Sequence, residues 1–197
     1  QAHSIGVPWL PILSKGNEEE EINDLENGIR GASDVRLAFE RVKNDTETID
    51  FPDELILKTD DLEIDALVVG ALRSDYQKTR IERMCERLNL ISYCPLWHHI
   101  PESHMESLVE HGFDVRIVSV STDGLGEQWL GVKIDKKTLD SLSIISSQFR
   151  FNLDGEGGEF ETIVVDAPHM KQLIEVLGHP EWKGNRGIWV IDSAKLS

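Results

Sequence analysis

Cysteine is scarce: there are two, Cys85 and Cys94, in 197 residues. They form neither a metal-ligand spacing nor a disulfide framework, which excludes a disulfide-stapled scaffold and fits a reducing cytoplasm. Long apolar runs are missing too. None approaches the roughly 18 residues needed to cross a bilayer, and no signal-peptide pattern opens the chain. Basic residues are in deficit, 20 Lys+Arg against 36 Asp+Glu, for a formal net charge of −16. That balance repels a phosphate backbone, so general nucleic-acid binding is not favoured unless a local basic patch exists. No internal repeat or low-complexity tract occurs. The first residue is Gln1 rather than Met, and we expect the text to start partway through a longer gene product.

What is present reads as alternating elements. Residues 6–13 suggest an extended segment or short strand, and 17–26 (NEEEEINDLE) an acidic helix. From about 27 to 61 the text is charged and irregular, broken by Gly28, Gly31 and Pro52; it reads as a surface insertion with some helix at 33–43. The pattern then sharpens. Residues 64–71 form a nearly continuous apolar run, as expected of a strand covered on both faces. Helices are predicted over 75–88, 101–110 and 136–149, and strands over 91–94, 113–121, 160–165 and 187–191. Strands alternating with helices predict an α/β fold with a mainly parallel sheet.

The strand–loop–helix at 64–88 carries the first chemical signal. Ser74, Asp75, Tyr76 and Gln77 fit a capping box, so a helix opens directly after a strand through a turn containing Gly70. Free N–H groups and the positive dipole end there suit a phosphate or carboxylate. In an open α/β sheet that is also where ligands bind. Ile81, Met84, Cys85 and Leu88 form an apolar stripe, and Tyr76, Arg80, Arg83 and Arg87 a neighbouring one. The plain alternative is a solvated face whose cations pair with Asp75, Glu82 and Glu86 at i,i+3 or i,i+4.

The second signal is the run from Asn152 to Thr162. Gly155, Gly157 and Gly158 free the backbone for positive φ and close approach, and Glu156, Glu159 and Glu161 sit on or just after the turn. Carboxylates are acceptor-only when ionised, so such a turn suits a cation or an amine. An ordinary hairpin turn with solvated acids is the alternative. His98, His99, His104 and His111 cluster nearby but lack the i,i+4 pair that a metal site wants, so no metal ligand is assigned.

Taken together these stretches resemble one family. Residues 70–80 (GALRSDYQKTR) look like its G-A-(hydrophobic)-x-S-x-Y-Q-(K/R)-x-R motif, and Pro95-Leu96-Trp97 like its P-L-W motif. Residues 155–162 (GEGGEFET) match its G-E-G-G-E-F-E-T motif, and Trp129-Leu130-Gly131 is also similar. The family is that of diphthine–ammonia ligases, in the ATP-pyrophosphatase class. The resemblance is weak over 1–16 and good over 62–197. The family's Ser-Gly-Gly-Lys-Asp-Ser phosphate loop does not occur in this sequence and would lie upstream; the acidic insertion exceeds the family's usual connection.

The resemblance implies a Rossmann-like lobe of the adenine nucleotide alpha hydrolase kind, with a parallel sheet, over 1–97, lacking its first strand and phosphate loop. A smaller α/β lobe that binds substrate would follow over 98–197. It implies ATP with Mg2+, ammonium, and translation elongation factor 2 in its diphthine form as partners, in the cytoplasm and away from membranes. Gly70, Ser74, Tyr76, Gln77 and Arg80 would then bind nucleotide, and Glu156 and Glu159 would act in catalysis. Trp97, Trp129, Gly157, Gly158 and Glu161 would meet the substrate, the tryptophans offering an aromatic face to a cation. Two other functions compete: a non-catalytic nucleotide- or protein-binding module that has lost the loop, and a tRNA-modifying relative. The negative charge and the lack of paired cysteines for sulfur transfer count against the latter.

Overall fold

The computed structural model describes residues 1–17, 20–31, 33–46 and 49–197. Glu18 and Glu19, part of the predicted acidic helix, and Ala32, Glu47 and Thr48, part of the predicted insertion, lie outside the described residues.

Two sheets organise the chain. In the first, β1 (Ala66–Val68) pairs in parallel with β2 (Ile91–Tyr93), joined by helix α4 (Asp75–Leu88). The second has the order β4-β3-β6-β5 and is antiparallel throughout, built from β3 (Asp114–Val120), β4 (Phe160–Asp166), β5 (Ile174–Lys183) and β6 (Arg186–Leu196). Helices α5 (Pro101–Glu110) and α6 (Lys136–Phe149) pack together beside it. The fold is thus mixed α/β, with parallel pairing confined to the first sheet. The larger sheet corrects the expectation of mainly parallel pairing. The long hairpin of β5 and β6 accounts for most of the difference, because a short Gly-containing turn between two strands imposes antiparallel pairing.

The core lies in the second half. Met105, Ile117, Val120, Leu142, Phe151 and Phe160 are among its buried members, contributed by α5, β3, α6, the loop after α6 and β4. Burying such side chains contributes roughly 1.5–3 kcal/mol each relative to exposure. Local signals set the helix ends. Asp135 accepts from the Thr138 N–H at 2.8 Å to start α6, and Arg150, at φ 61°, closes it in the left-handed region. Pro101 opens α5, where its missing N–H is harmless.

The first sheet is barer than the sequence predicts. Only residues 66–68 of the apolar run are strand, and Val68, Ile91 and Tyr93 are 67%, 66% and 57% exposed. Helix α4 covers one face with Met84 and Cys85 buried beneath it, but the described residues place no layer on the other face. Strand β1 is therefore not covered on both sides.

The N-terminal segment is docked on the second half of the chain. The short helix α1 (Ala2–Ile5) docks on the antiparallel sheet: the Lys171 N–H donates to the Ser4 carbonyl at 2.7 Å, and Gln1 Nε2 to the Val164 carbonyl at 2.7 Å. The insertion is docked as well. Phe39, on helix α3 (Val35–Asp45), meets Trp9 and Phe51 edge-on at 6.0 and 5.3 Å, a favoured aromatic geometry.

Candidate functional site

The turn between β1 and α4 is built as its residue types demand. Ser74, in extended backbone, accepts from the Gln77 N–H at 3.3 Å, forming the cap that starts α4. Ahead of it, Gly70 is exposed, and a Cβ there would meet nothing within 4 Å. The backbone is open to approach at this point. Tyr76 is 53% exposed, and the Arg80 guanidinium lies 5.0 Å from its ring centroid.

The P-L-W loop lies alongside. The His98 N–H donates to the Leu72 carbonyl at 2.8 Å, and Arg73 Nη1 to the His99 carbonyl at 2.9 Å. Trp97 is half-buried. Lys78 Nζ sits 5.1 Å from its ring centroid, and the His98 ring stacks on it at 4.7 Å. The ring does hold a cation, but the cation is the protein's own lysine.

The glycine turn is locally determined. Gly155 and Gly158 have φ of 72° and 80°, and a Cβ at Gly155 would lie 2.6 Å from the Phe160 carbonyl oxygen. The Gly158 N–H donates to the Gly155 carbonyl at 2.8 Å, closing the turn. Gly157 lets the Glu159 carboxylate fold close over the backbone: a Cβ there would come within 2.5 Å of Oε1. That oxygen accepts from the Asn152 N–H at 3.1 Å, while Oε2 is buried with no partner among the described residues.

The structure brings the two turns together. Glu156 Oε1 accepts from the Arg73 N–H at 3.1 Å, and the Arg73 guanidinium pairs with Asp154, whose side chain is 2% exposed. Removing one partner of a buried ion pair costs roughly 3–5 kcal/mol, since the other charge is left stranded. Arg73, between Gly70 and Ser74, therefore holds the turn before α4 against Asp154 and Glu156, forming a seam between the two turns. The seam is a meeting of surfaces, not an enclosed chamber. A cavity of about 500 Å³ lies elsewhere, between Trp9, Phe51, Leu55 and the Ile163, Val176 and Ile191 face of the antiparallel sheet.

Three expected residues do not join the seam as proposed. Trp129 ends the 3-10 turn at Glu127–Trp129, is 8% exposed and packs in the core, so its ring offers no face to a cation. Glu161 stands on the exposed face of β4, opposite Ser119. Arg80 is engaged away from the turn, with Nη1 3.2 Å from Glu21 Oε1. Sequence reasoning passed over Asp154 and gave Arg73 no role. Their signal was present: an acid opening a glycine turn, and an arginine next to a helix cap, each immediately beside a motif.

Burial also shapes His104. Its imidazole is held below the ordinary histidine range by desolvation, with Asp154 pulling upward and His99 and Arg73 pushing downward. His99 meets it edge-on at 6.0 Å.

Comparison with known proteins places the two turns in two named domains. Residues 31–92 match the diphthamide synthase N-terminal domain, and residues 100–196 the diphthamide synthase C-terminal domain. Diphthine–ammonia ligase of Homo sapiens is 34% identical over 154 residues, spanning 75% of this chain and 55% of the relative. The Bos taurus protein is 33% identical over 150 residues with the same coverage, 75% and 55%. That of Schizosaccharomyces pombe is 35% identical over 112 residues, 57% of this chain and 18% of the relative.

The chain belongs to the diphthine–ammonia ligase family. It spans about half the length, 55%, of the human and bovine relatives. Within the family frame the seam is an interdomain contact: Arg73 lies in the N-terminal domain match, and Asp154, Glu156 and Glu159 lie in the C-terminal one.

Proposed function

We propose that this chain supplies the nucleotide turn and the substrate turn of an ATP-dependent amide ligase. The ligase converts diphthine on translation elongation factor 2 to diphthamide, with ammonium as the nitrogen source. The reading rests on one observation, the hydrogen bond and ion pair that hold the acidic glycine turn against the turn before α4. The names of the relatives support the same reading.

The chemistry follows from charge. The substrate carboxylate attacks the α-phosphate of ATP, pyrophosphate leaves, and ammonia displaces AMP from the acyl adenylate. Two anions must meet in the first step, so N–H dipoles aimed at the phosphates lower its barrier. The α4 terminus offers such dipoles beside the open Gly70 backbone, with Ser74, Tyr76 and Gln77 around it. No three His, Cys, Asp or Glu side chains gather to hold an ion among the described residues. Magnesium would be expected on the phosphate oxygens, where it commonly binds. The bare face of β1 and β2 supports a nucleotide lobe that takes further strands, and a phosphate loop, from outside these residues.

Glu159 faces the other partner. A buried carboxylate oxygen without a donor is a poor resting state but a good receptor for an ammonium hydrogen. The test is AMP release by the complete polypeptide, measured with and without ammonium and diphthine-bearing elongation factor 2. We expect release to require both, and Glu159→Gln to weaken substrate use far more than ATP binding. AMP release indifferent to ammonium, or equal loss of both properties in Glu159→Gln, would refute the assignment.

A further inference from the structure

We infer that Arg73 and Asp154 form a positioning latch, which fixes the acidic glycine turn against the turn before α4 in one geometry. The inference deepens the ligase reading and rests on it. Arg73 reaches three places distant in sequence: its guanidinium meets Asp154 and the His99 carbonyl, and its own N–H meets the Glu156 carboxylate. Asp154 answers with both oxygens, one on the guanidinium and one accepting from the Glu156 N–H at 3.3 Å. The carboxylate of Glu156 is therefore held from one side by the Arg73 backbone and from the other by a backbone that Asp154 anchors.

Burial gives this arrangement direction. An ionised carboxylate as enclosed as that of Asp154 is tolerated only with a paired cation, and Arg73 is the cation paired with it. Nη1 and Nη2 of the guanidinium are thus committed within the protein, while Nε is buried with no partner among the described residues. An arginine next to a phosphate turn suggests a phosphate ligand; here its contacts assign it to holding Asp154 and Glu156 in place. Planarity matters as well. A fork can serve Asp154 and the His99 carbonyl together from Nη1 and Nη2, whereas a lysine ammonium is a single point charge on a flexible stem.

The experiment compares Arg73→Lys, Asp154→Asn and their double variant with wild type, in the complete polypeptide. Two properties are read: steady-state ligation, and backbone hydrogen exchange of residues 155–159. Each single variant is expected to lower kcat about 10- to 100-fold through misplacement of the acidic turn. The KM for ATP should change by less than about threefold, since no contact to nucleotide is removed. Exchange at 155–159 should rise by about 10-fold or more while β3 stays protected. The double variant should be no worse than the worse single one, because both remove the same latch. A rise in the KM for ATP matching the fall in kcat would make Arg73 a phosphate ligand and overturn the proposal. Unchanged exchange at 155–159, or losses that multiply in the double variant, would overturn it too. Should wild type show no ammonium-dependent turnover, the ligase reading fails, and the exchange data alone decide the latch. If Asp154→Asn does not fold, Asp154→Glu, which keeps the charge but displaces it, is judged by the same outcomes.

Discussion

Replacing Gly155 and Gly158 by alanine, one at a time, separates two reasons for a glycine within a single turn. Both residues have positive φ, 72° and 80°, so both substitutions force an L side chain into the left-handed region. That alone costs roughly 1–2 kcal/mol. The surroundings then differ. A Cβ at Gly158 meets nothing within 4 Å, whereas at Gly155 it lies 2.6 Å from the Phe160 carbonyl oxygen and 3.2 Å from that residue's ring.

A backbone oxygen at the start of β4 cannot swing aside as a surface side chain can, because Phe160 is paired with Val120 and buried in the core. Gly158→Ala should therefore cost about 1–2 kcal/mol, and Gly155→Ala about 3 kcal/mol or more once the strand end has to move. For a chain of this size a kilocalorie shifts Tm by roughly 2–4 °C, so the expected losses are about 2–8 °C and at least about 6 °C. Thermal melts followed by circular dichroism resolve the two. If Gly155→Ala melts no lower than Gly158→Ala, the contact with Phe160 does not shape the turn and the reasoning fails.

Three further outcomes follow from the same geometry. Gly70→Ala meets open space at a backbone without positive φ, so stability should hold or rise by up to about 1 kcal/mol, while nucleotide affinity falls; equal ATP binding in titration calorimetry would count against the nucleotide turn. Glu26→Ala removes a carboxylate shared by Arg30 and Arg87, whose hydrogen bonds hold its pKa below the usual range. Pairs at such exposed arginines are worth about 0.2–1 kcal/mol each, so a urea midpoint should fall slightly at low salt and the difference should vanish at high salt. His104 has a lowered folded pKa. The unfolded chain therefore takes up its proton first, and stability present above about 6.5 is lost as pH falls from that value toward the folded one. His104→Asn should flatten that stretch of the urea-midpoint profile, and an unchanged slope would show that other groups set it.

Local chemistry made much of this legible. Residues 75–88, 101–110 and 136–149 are helices as predicted, since each carries its start signal in sequence: a Ser cap, a proline and an Asp cap. Pairing was less legible. The sequence marks 187–191 as a strand, but not that it lies antiparallel to β3 at Ser119 and Val120, which only the tertiary fold decides. Strand β5 was missed because Gly178 and Pro180 interrupt its pattern; the register shifts beside Gly178, and the strand lies at the sheet edge, where proline is tolerated. The site divided in the same way. Motif residues drew the eye to Glu156 and Glu159, but Arg73 and Asp154 gain their meaning from a contact across 81 positions, which no local window contains.

The acidic helix near the N-terminus becomes intelligible through the helix it faces. Helix α4 carries an arginine stripe that, taken alone, could be mistaken for a nucleic-acid contact. Helix α2 (Glu21–Ile29) lies against it: Glu21 meets Arg80 at 3.2 Å, and Glu26 takes Arg87 from α4 together with Arg30 from its own helix. The expected pairing of cations within α4 holds for Lys78 with Glu82, whereas Arg80 and Arg87 turn to the acidic helix α2 instead. A cation already bonded to a neighbouring carboxylate must lose that partner before it can bind phosphate, which removes most of the gain from releasing counterions. At Arg80 and Arg87 the acids of α2 thus convert a basic helix face into a joint between two helices. That counts against an RNA-modifying reading more directly than the overall charge does, because it acts at the surface where such binding would otherwise begin.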